Sequence, residues 1–214
     1  MKKGKLIVIE GIDGSGKSTQ ANLLIKVLKN KKIKYKYIDF PRYNEFFGKL
    51  VKLYLNGEFK ELGNNPYFAS IFYAFDRMDI AKKINKWIEQ GYFIVSNRYS
   101  ESNLIHQSVK IKNKKKKQKF IDWISDFEFN KLSVVSADKI IYLFVSPEIA
   151  VNLISKRGNK LDIHENKKHL KEAYKNAKWL AKKYNWILIN CVKNNNIMKI
   201  QEIHKIILEK LGLL

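Results

Sequence analysis

A glycine-rich segment near the start of the chain has the composition of a phosphate-binding loop. Residues 11–19 read Gly-Ile-Asp-Gly-Ser-Gly-Lys-Ser-Thr and match the pattern G-x-x-x-x-G-K-[ST], between a short apolar run and a helical pattern. Glycines let successive backbone N–H groups point at an anion, so Lys17 is expected to reach the β- and γ-phosphates of ATP and Ser18 to bind Mg²⁺. The alternative is a glycine-rich turn without a ligand. The residues predicted to bind the triphosphate are Gly11, Asp13, Gly14, Ser15, Gly16, Lys17, Ser18 and Thr19.

Asp13 is an unusual residue for a loop that holds anions, because its carboxylate would repel a triphosphate. One interpretation is that it points away, towards a hydroxyl group of a second substrate. The other is a solvated turn aspartate that favours the local backbone bend. The residues alone leave both open.

The chain has four arginines, and three of them follow predicted strands or lie on a predicted helix. Arg42 follows the second strand and Arg98 the third, while Arg77 shares a helix face with Tyr73 and Asp76. Arginines that converge on one crevice predict bidentate contacts to a second phosphorylated molecule and neutralisation of charge during phosphoryl transfer. Separate surface ion pairs are the alternative.

The composition excludes several classes of protein. With 45% hydrophobic residues in 214, the chain is expected to fold as one domain, residues 1–214, and to bury a core. The single cysteine, Cys191, gives no disulfide framework, and no apolar run approaches the roughly 18 residues of a membrane span. A cytoplasmic protein without a membrane partner is expected.

The net charge of +22 taken alone suggests a nucleic-acid partner. However, the chain has 38 lysines and only four arginines, and arginine is the better reader of phosphates and bases. This split favours a solvated lysine-rich surface, so no specific nucleic-acid partner is expected. The densest charge run, Lys110 to Lys119, is expected to be an exposed loop or the start of a helix.

Apolar runs alternate with segments of helical period, which predicts an α/β fold: a three-layer sandwich with a five-stranded parallel sheet flanked by helices. Ligands bind such sheets beyond the carboxyl ends of the strands. The predicted strands are Lys5–Glu10, Lys34–Asp39, Tyr92–Ser96, Lys139–Val145 and Trp186–Asn190. The predicted helices are Lys17–Lys29, Glu45–Leu55, Pro66–Glu89, Ser100–Val109, Lys119–Leu132, Pro147–Lys156, Glu165–Tyr184 and Ile197–Leu211.

Over nearly its full length the sequence resembles the thymidylate kinases, P-loop NTPases of the nucleoside monophosphate kinase group. The phosphate loop is shared with many NTPases, whereas Asp-Gly inside it together with the other segments in this order is more specific. The segments that carry the resemblance are Glu10 to Gln20, Phe40-Pro-Arg-Tyr43, Phe75-Asp-Arg77, Asn97-Arg-Tyr99 with Ser102-Asn103, Lys156-Arg-Gly158 and Asp162-Ile-His-Glu165.

The resemblance implies an enzyme that phosphorylates dTMP to dTDP with ATP and Mg²⁺, and it implies the roles of individual residues. Asp13 would hydrogen-bond the 3′-hydroxyl of dTMP, and Arg42 and Arg98 would hold its phosphate. Tyr73 would stack on thymine. The remaining residues implied at dTMP, within an acceptor region of about residues 40–110, are Phe40, Arg77, Ser102 and Asn103.

The resemblance also implies a lid over the ATP phosphates at about residues 156–164. Family members with glycine at the position of Gly14 supply the catalytic arginine from this lid, so Arg157 joins Lys17, Arg98 and Asp13 as a catalytic candidate. A cation at a helix C-terminus is the alternative for Arg157.

The chain departs from the family at Asn97, where aspartate is usual, so Asn97 is expected at most to contact Mg²⁺ through water. Two interpretations of His106 stay open: it lines the sugar pocket, or it is an ordinary partly buried histidine.

Other functions stay open at this stage. A deoxynucleoside kinase or a monophosphate kinase for another pyrimidine is the nearest alternative, and a nucleic-acid-dependent P-loop ATPase is a more distant one. A homodimer is implied by the resemblance, through apolar helix faces such as Pro66–Glu89 and Lys119–Leu132.

Overall fold

A computed structural model of the chain describes residues 3–155 and 167–214. Its centre is a five-stranded parallel sheet in the order β2-β3-β1-β4-β5. The strands are β1 (Lys5–Glu10), β2 (Tyr35–Asp39), β3 (Phe93–Asn97), β4 (Lys139–Phe144) and β5 (Ile187–Asn190). The predicted α/β fold and its five strands are confirmed, and no strand bound differs from the prediction by more than one residue.

The sheet is covered on both faces because alternate residues of its central strand point to opposite sides. Leu6 and Val8 of β1 pack in one buried cluster, and Ile7 and Ile9 pack in the other. All four side chains are almost fully buried, which explains why the strand is a continuous apolar run. The sheet is therefore the middle layer of three.

Eight helices are present among the described residues. They are α1 (Lys17–Asn30), α2 (Phe46–Leu55), α3 (Pro66–Glu89), α4 (Glu101–His106), α5 (Lys114–Ser125), α6 (Pro147–Ser155), α7 (Lys167–Lys183) and α8 (Ile200–Leu211). Shorter turns of helix cover Lys60–Asn64, Ser108–Lys110 and, with π geometry, Asp126–Lys131. No helix in the described ranges is long and apolar enough to cross a membrane.

The lysine run forms the first turn of α5, which begins five residues earlier than predicted. Asn113 caps the helix, since its side-chain oxygen accepts a hydrogen bond from the Lys116 N–H at 3.0 Å. This cap compensates for lysines at the positive end of the helix dipole. Residues 111–113 of the run are loop and the helix begins at Lys114, so each of the two expectations is correct for part of the run.

Two other predicted helices were too long. The segment predicted as Ser100–Val109 divides into α4 and the turn at Ser108–Lys110. The last helix begins at Ile200 rather than Ile197, because a short antiparallel hairpin, β6 (Val192–Lys193) and β7 (Asn196–Ile197), precedes it.

Candidate active site

A cavity of about 610 Å³ opens at the carboxyl ends of the central strands. The structure brings together all eight residues that the sequence implied at dTMP. They are Asp13, Phe40, Arg42, Tyr73, Arg77, Arg98, Ser102 and Asn103. Their convergence follows from the topology, because β1, β2 and β3 are neighbours and end at the same edge.

The phosphate loop joins β1 to α1 and depends on glycine at Gly14. Its φ is +81°, and a Cβ there would lie 2.5 Å from the Ala150 carbonyl oxygen of α6. The Lys17 ammonium lies inside the loop and donates to the carbonyl oxygens of Gly11 at 2.9 Å and Ile12 at 3.0 Å. The predicted loop residues therefore form one compact turn around a buried lysine.

Asp13 points out of the phosphate loop into the cavity, where its carboxylate pairs with the Arg98 guanidinium. It also lies 3.7 Å from the Lys17 ammonium. Burial by itself lowers the pKa of Arg98, but the carboxylates of Asp13 and Glu10 raise it above its ordinary value. The guanidinium thus carries its charge permanently.

Arg98 has a φ of +62°, a left-handed backbone that a side chain with a Cβ adopts at a cost of about 1–2 kcal/mol. Two hydrogen bonds hold this conformation. The Arg98 N–H donates to the Ile9 carbonyl at 3.1 Å, and the Ser96 hydroxyl donates to the Arg98 carbonyl at 2.7 Å.

Arg42 is positioned by acidic residues of α3. Its Nε donates to Asp76 at 2.9 Å and one terminal nitrogen donates to Asp79 at 2.6 Å. Asp76 also accepts a hydrogen bond from the Arg42 backbone N–H at 2.8 Å. Burial raises the pKa of Asp76 while its contacts with Arg42 oppose the rise. Arg42 is thus fixed to the same helix that carries Tyr73 and Arg77.

A buried carboxylate, Glu128, connects the residues predicted at the base. It accepts from Arg77 Nε at 2.8 Å and from a terminal nitrogen at 2.6 Å, and from Asn103 Nδ2 at 2.9 Å. The Ser100 hydroxyl donates to it at 2.6 Å. Burial lowers the pKa of Arg77, and the Glu128 carboxylate outweighs this and raises it.

Glu10, the last residue of β1, is a second carboxylate that the sequence did not reveal as part of the site. It accepts from the Tyr99 N–H at 3.0 Å and from the Ser102 hydroxyl at 2.7 Å. Ser102 therefore faces Glu10 as well as lining the cavity. Nearby Glu101 is almost fully buried, and burial followed by the charge of Glu10 raises its pKa to about 8.

His106 lines the cavity and lies between Arg98 and a histidine of α7. Its Nε2 is 3.3 Å from an Arg98 nitrogen, and its Nδ1 is 3.1 Å from His169 Nε2. Arginine can only donate, so His106 Nε2 accepts and its Nδ1–H donates to His169. Of the two interpretations left open by the sequence, the structure places His106 at the cavity wall.

Asn97 lies at the end of β3 and bridges β2 to the phosphate loop. Its amide nitrogen donates to Asp39 Oδ1 at 2.7 Å and contacts Ser18 Oγ at 3.2 Å. Both Asn97 and Asp39 line the cavity. The predicted lid, including Arg157, lies outside the described residues.

Comparison with known proteins agrees with the geometry. The thymidylate kinase family model matches residues 9–204. A thymidylate kinase of Plasmodium falciparum (isolate 3D7) is 29% identical over 209 residues, covering 98% of this chain and 90% of that protein. One of Brachyspira hyodysenteriae is 34% identical, covering 81% and 79%. A probable thymidylate kinase of Methanococcus aeolicus is 32% identical, covering 97% and 95%.

A solved thymidylate kinase structure from Candida albicans has the same fold, with a TM-score of 0.77 over 99% of this chain and 93% of that one, at 23% identity. The family model spans most of the chain, and two of these relatives are more than 30% identical over at least 79% of their own length. This chain therefore belongs to the thymidylate kinase family of P-loop nucleoside monophosphate kinases.

Proposed function

We propose that this chain transfers the γ-phosphoryl group of ATP to dTMP through the residues that meet at the cavity. An oxygen of the dTMP phosphate attacks the γ-phosphorus in line, the bond from that phosphorus to the β,γ-bridging oxygen breaks, and ADP leaves. Such a reaction needs positioning and charge neutralisation rather than a side-chain nucleophile. The family membership favours this reaction over a deoxynucleoside kinase, another pyrimidine kinase or a nucleic-acid-dependent ATPase.

The observation that carries the residue roles is the Asp13–Arg98 pair at the junction of the phosphate loop and the acceptor cavity. Arg98 and Arg42 hold the acceptor phosphate, and Lys17 neutralises charge on the transferred group. Asp13 restrains Arg98 and accepts a hydrogen bond from the 3′-hydroxyl of dTMP. This arrangement supports the orientation of Asp13 away from the triphosphate.

The thymine pocket lies on α3 and α4. Tyr73 stacks on the base, and its ring is itself supported by an edge contact from Tyr54 at 6.0 Å between centroids. Arg77 and Asn103 contact the polar edge of the base, with Glu128 setting the planes of both donors. Phe40 closes the pocket from β2.

The phosphate loop also fits Mg²⁺. A hydroxyl oxygen suits this ion as a ligand and an amide oxygen suits its bound water, and the Asn97 side chain lies beside Ser18, with its amide nitrogen 3.2 Å from the Ser18 hydroxyl oxygen. When bound, Mg²⁺ would neutralise charge on the β- and γ-phosphates. Ser18 would hold the ion, and Asn97 would contact its water.

Arg157, in the predicted lid at about residues 156–164, is proposed as the further catalytic cation. A cytoplasmic location is proposed as well.

A homodimer is also proposed. Much of the apolar side of α5 packs in the chain's own core, with Phe120, Ile121 and Ile124 buried, so the α2–α3 side is the better dimer face. Large exposed apolar residues there are Phe46, Leu53 and Leu62. Sedimentation equilibrium would test the dimer.

A coupled assay of ADP release tests the reaction with dTMP, dUMP, thymidine, other monophosphates and single-stranded DNA as separate additions. We expect dTMP to give the highest kcat/KM. Stimulation by DNA but not by dTMP would overturn the proposal. Arg98→Ala should lower kcat by about 100-fold or more, because a preorganised donor to the reacting phosphate is lost. Near-normal kinetics in this variant would refute the role of Arg98.

A further inference from the structure

The ends of β2 and β3 place a carboxylate beside the magnesium-binding part of the phosphate loop. Asp39 and Asn97 are direct cross-strand partners in the parallel register. The Asn97 amide nitrogen donates to Asp39 Oδ1 at 2.7 Å and to Ser18 Oγ at 3.2 Å. A short polar chain therefore runs from Asp39 through Asn97 to the hydroxyl expected to bind Mg²⁺.

Asp39 also determines which way the Asn97 amide is turned. A carboxylate only accepts hydrogen bonds, so the nitrogen of the amide must face it. This leaves Asn97 Oδ1 buried and, within the part of the chain that the structure describes, without a hydrogen-bond partner. Asn97 is only 5% exposed, and an unsatisfied buried acceptor costs free energy. A water molecule of a hydrated cation would satisfy it.

The carboxylate beside the magnesium-binding part of the phosphate loop lies at the end of β2 rather than β3. Asn97 is a neutral amide, whereas Asp39 carries a carboxylate that is exposed and part of the cavity wall. Burial, followed by the charge of the Asp39 carboxylate, raises the pKa of the Tyr37 hydroxyl to about 12, so Asp39 lies close to Tyr37 as well as to Asn97. A carboxylate of β2 is therefore linked, through Asn97, to the hydroxyl expected to bind Mg²⁺.

We propose that Asp39 is an outer-shell magnesium residue of this enzyme, supplying the carboxylate charge while Asn97 orients it and contacts metal-bound water. The inference rests on the proposed function, since it assumes a nucleotide-bound divalent cation at Ser18. It assigns a role to a residue that the sequence motifs did not single out.

The test measures metal affinity separately from activity. The dissociation constant of Mn²⁺ from the enzyme–ADP complex is obtained by EPR of free Mn²⁺, and that of ADP in EDTA by calorimetry. Asp39→Asn should weaken Mn²⁺ binding about tenfold, as outer-shell changes typically do, and leave ADP affinity in EDTA unchanged. Unchanged ADP affinity also shows that the variant is folded.

A charge-swapped variant provides the sharper comparison. Asp39→Asn combined with Asn97→Asp moves the carboxylate to β3 and should restore most of the Mn²⁺ affinity. Asp122→Asn, a matched change on the surface of α5, should leave it at the wild-type value. The inference fails if Asp39→Asn binds Mn²⁺ normally, if it weakens metal-free ADP binding equally, if the swap restores nothing, or if Asp122→Asn has the same effect.

The Mn²⁺ affinity of Asp39→Asn and the reaction with dTMP are measured separately, so failure of one proposal can be told from failure of the other. Absence of dTMP-dependent ADP release in the unaltered enzyme would remove the proposed function, whereas a normal reaction with unaltered Mn²⁺ affinity in Asp39→Asn would remove only the role of Asp39.

Discussion

Glu128 connects the residues that are proposed to bind the base. It is 1% exposed and is the acid partner of the equally buried Arg77, while Ser100 and Asn103 donate to the same carboxylate. A buried ion pair that loses one partner leaves an uncompensated charge. The consequences of losing it are therefore both structural and functional.

Glu128→Gln should lower the free energy of unfolding by about 3 kcal/mol, measured by urea denaturation. It should also raise KM for dTMP much more than KM for ATP, because Arg77 and Asn103 lose the group that orients them. Asp126→Asn is the matched control, since Asp126 is in the same π-helical turn and bonds only Asn130 among the hydrogen bonds described for it. Equal effects in the two variants would contradict the importance of Glu128.

The sequence predicted the cationic residues of the site better than their acidic partners. Lys17, Arg42 and Arg98 stand in short motifs next to strand ends, where spacing alone indicates a shared edge. Glu128 is separated from Arg77 by 51 positions, and only its setting between Phe127 and Phe129 indicates burial. Pairing over such a distance is determined by how α3 and the α5 segment pack, which local patterns do not encode.

At the scale of elements, α2 approaches the Arg42 loop because Gly48 has no side chain. A Cβ at Gly48 would lie 1.9 Å from the Arg42 carbonyl oxygen, which is backbone and cannot rotate away. The close packing of α2 thus shapes the segment that carries Arg42, the arginine proposed to hold the acceptor phosphate.

Gly48→Ala should destabilise the protein by about 2 kcal/mol and raise KM for dTMP, because α2 must shift away from the loop. Thermal unfolding and steady-state kinetics measure the two effects. Gly63→Ala serves as the control, since its Cβ would meet nothing closer than the Tyr54 ring at 3.8 Å. A Gly48 variant as stable and active as this control would show that the loop position does not depend on α2.

Helices α4 and α7 meet through the His106–His169 pair, whose rings stack 5.4 Å apart. Burial, followed by the charge of Lys110, lowers the pKa of His169 from 6.5 to about 4. The native state therefore holds His169 neutral at a pH where the unfolded chain protonates it. As the pH falls from 6.5 towards 4, the free energy of unfolding should fall with it.

The contribution of His169 to this fall should be about 2 kcal/mol after allowance for partial solvent screening. Denaturation curves at several pH values would measure it. In His169→Phe, which cannot bind a proton, this part of the slope should disappear, while carboxylates still titrate at the acid end. An identical pH dependence in the variant would mean that His169 is not held neutral.

The bounds of helices were predictable where the sequence contains a capping or helix-breaking residue at the bound itself. Helix α3 begins at Pro66 as predicted, and the Asn65 side chain caps it by accepting a hydrogen bond from the Tyr67 N–H at 2.9 Å. The division after α4 was not predictable, because it depends on Asn176 of α7, which donates to the carbonyls of Leu104 and Ile105 at 2.9 and 3.1 Å. Side chains from distant elements decide such breaks.

At the scale of the whole molecule, the net charge of +22 acts against compactness, since like charges repel across the surface. Salt screens this repulsion, with a Debye length of about 10 Å at about 0.1 M. Raising NaCl from about 0.02 to about 0.5 M should therefore raise Tm by a few degrees. Differential scanning calorimetry at constant pH measures this, with choline chloride as a check on cation identity. A lower Tm at high salt would show that specific ion pairs outweigh the repulsion.

The left-handed backbone at position 98 favours a different residue for stability than the one that the proposed reaction requires. Glycine adopts a φ of +62° without the steric cost that arginine bears. A library selected only for resistance to heat or protease would therefore be expected to enrich glycine at this position and to yield sturdier, inactive proteins. On the proposed role of Arg98, a library selected for phosphorylation of dTMP should instead keep arginine at this position.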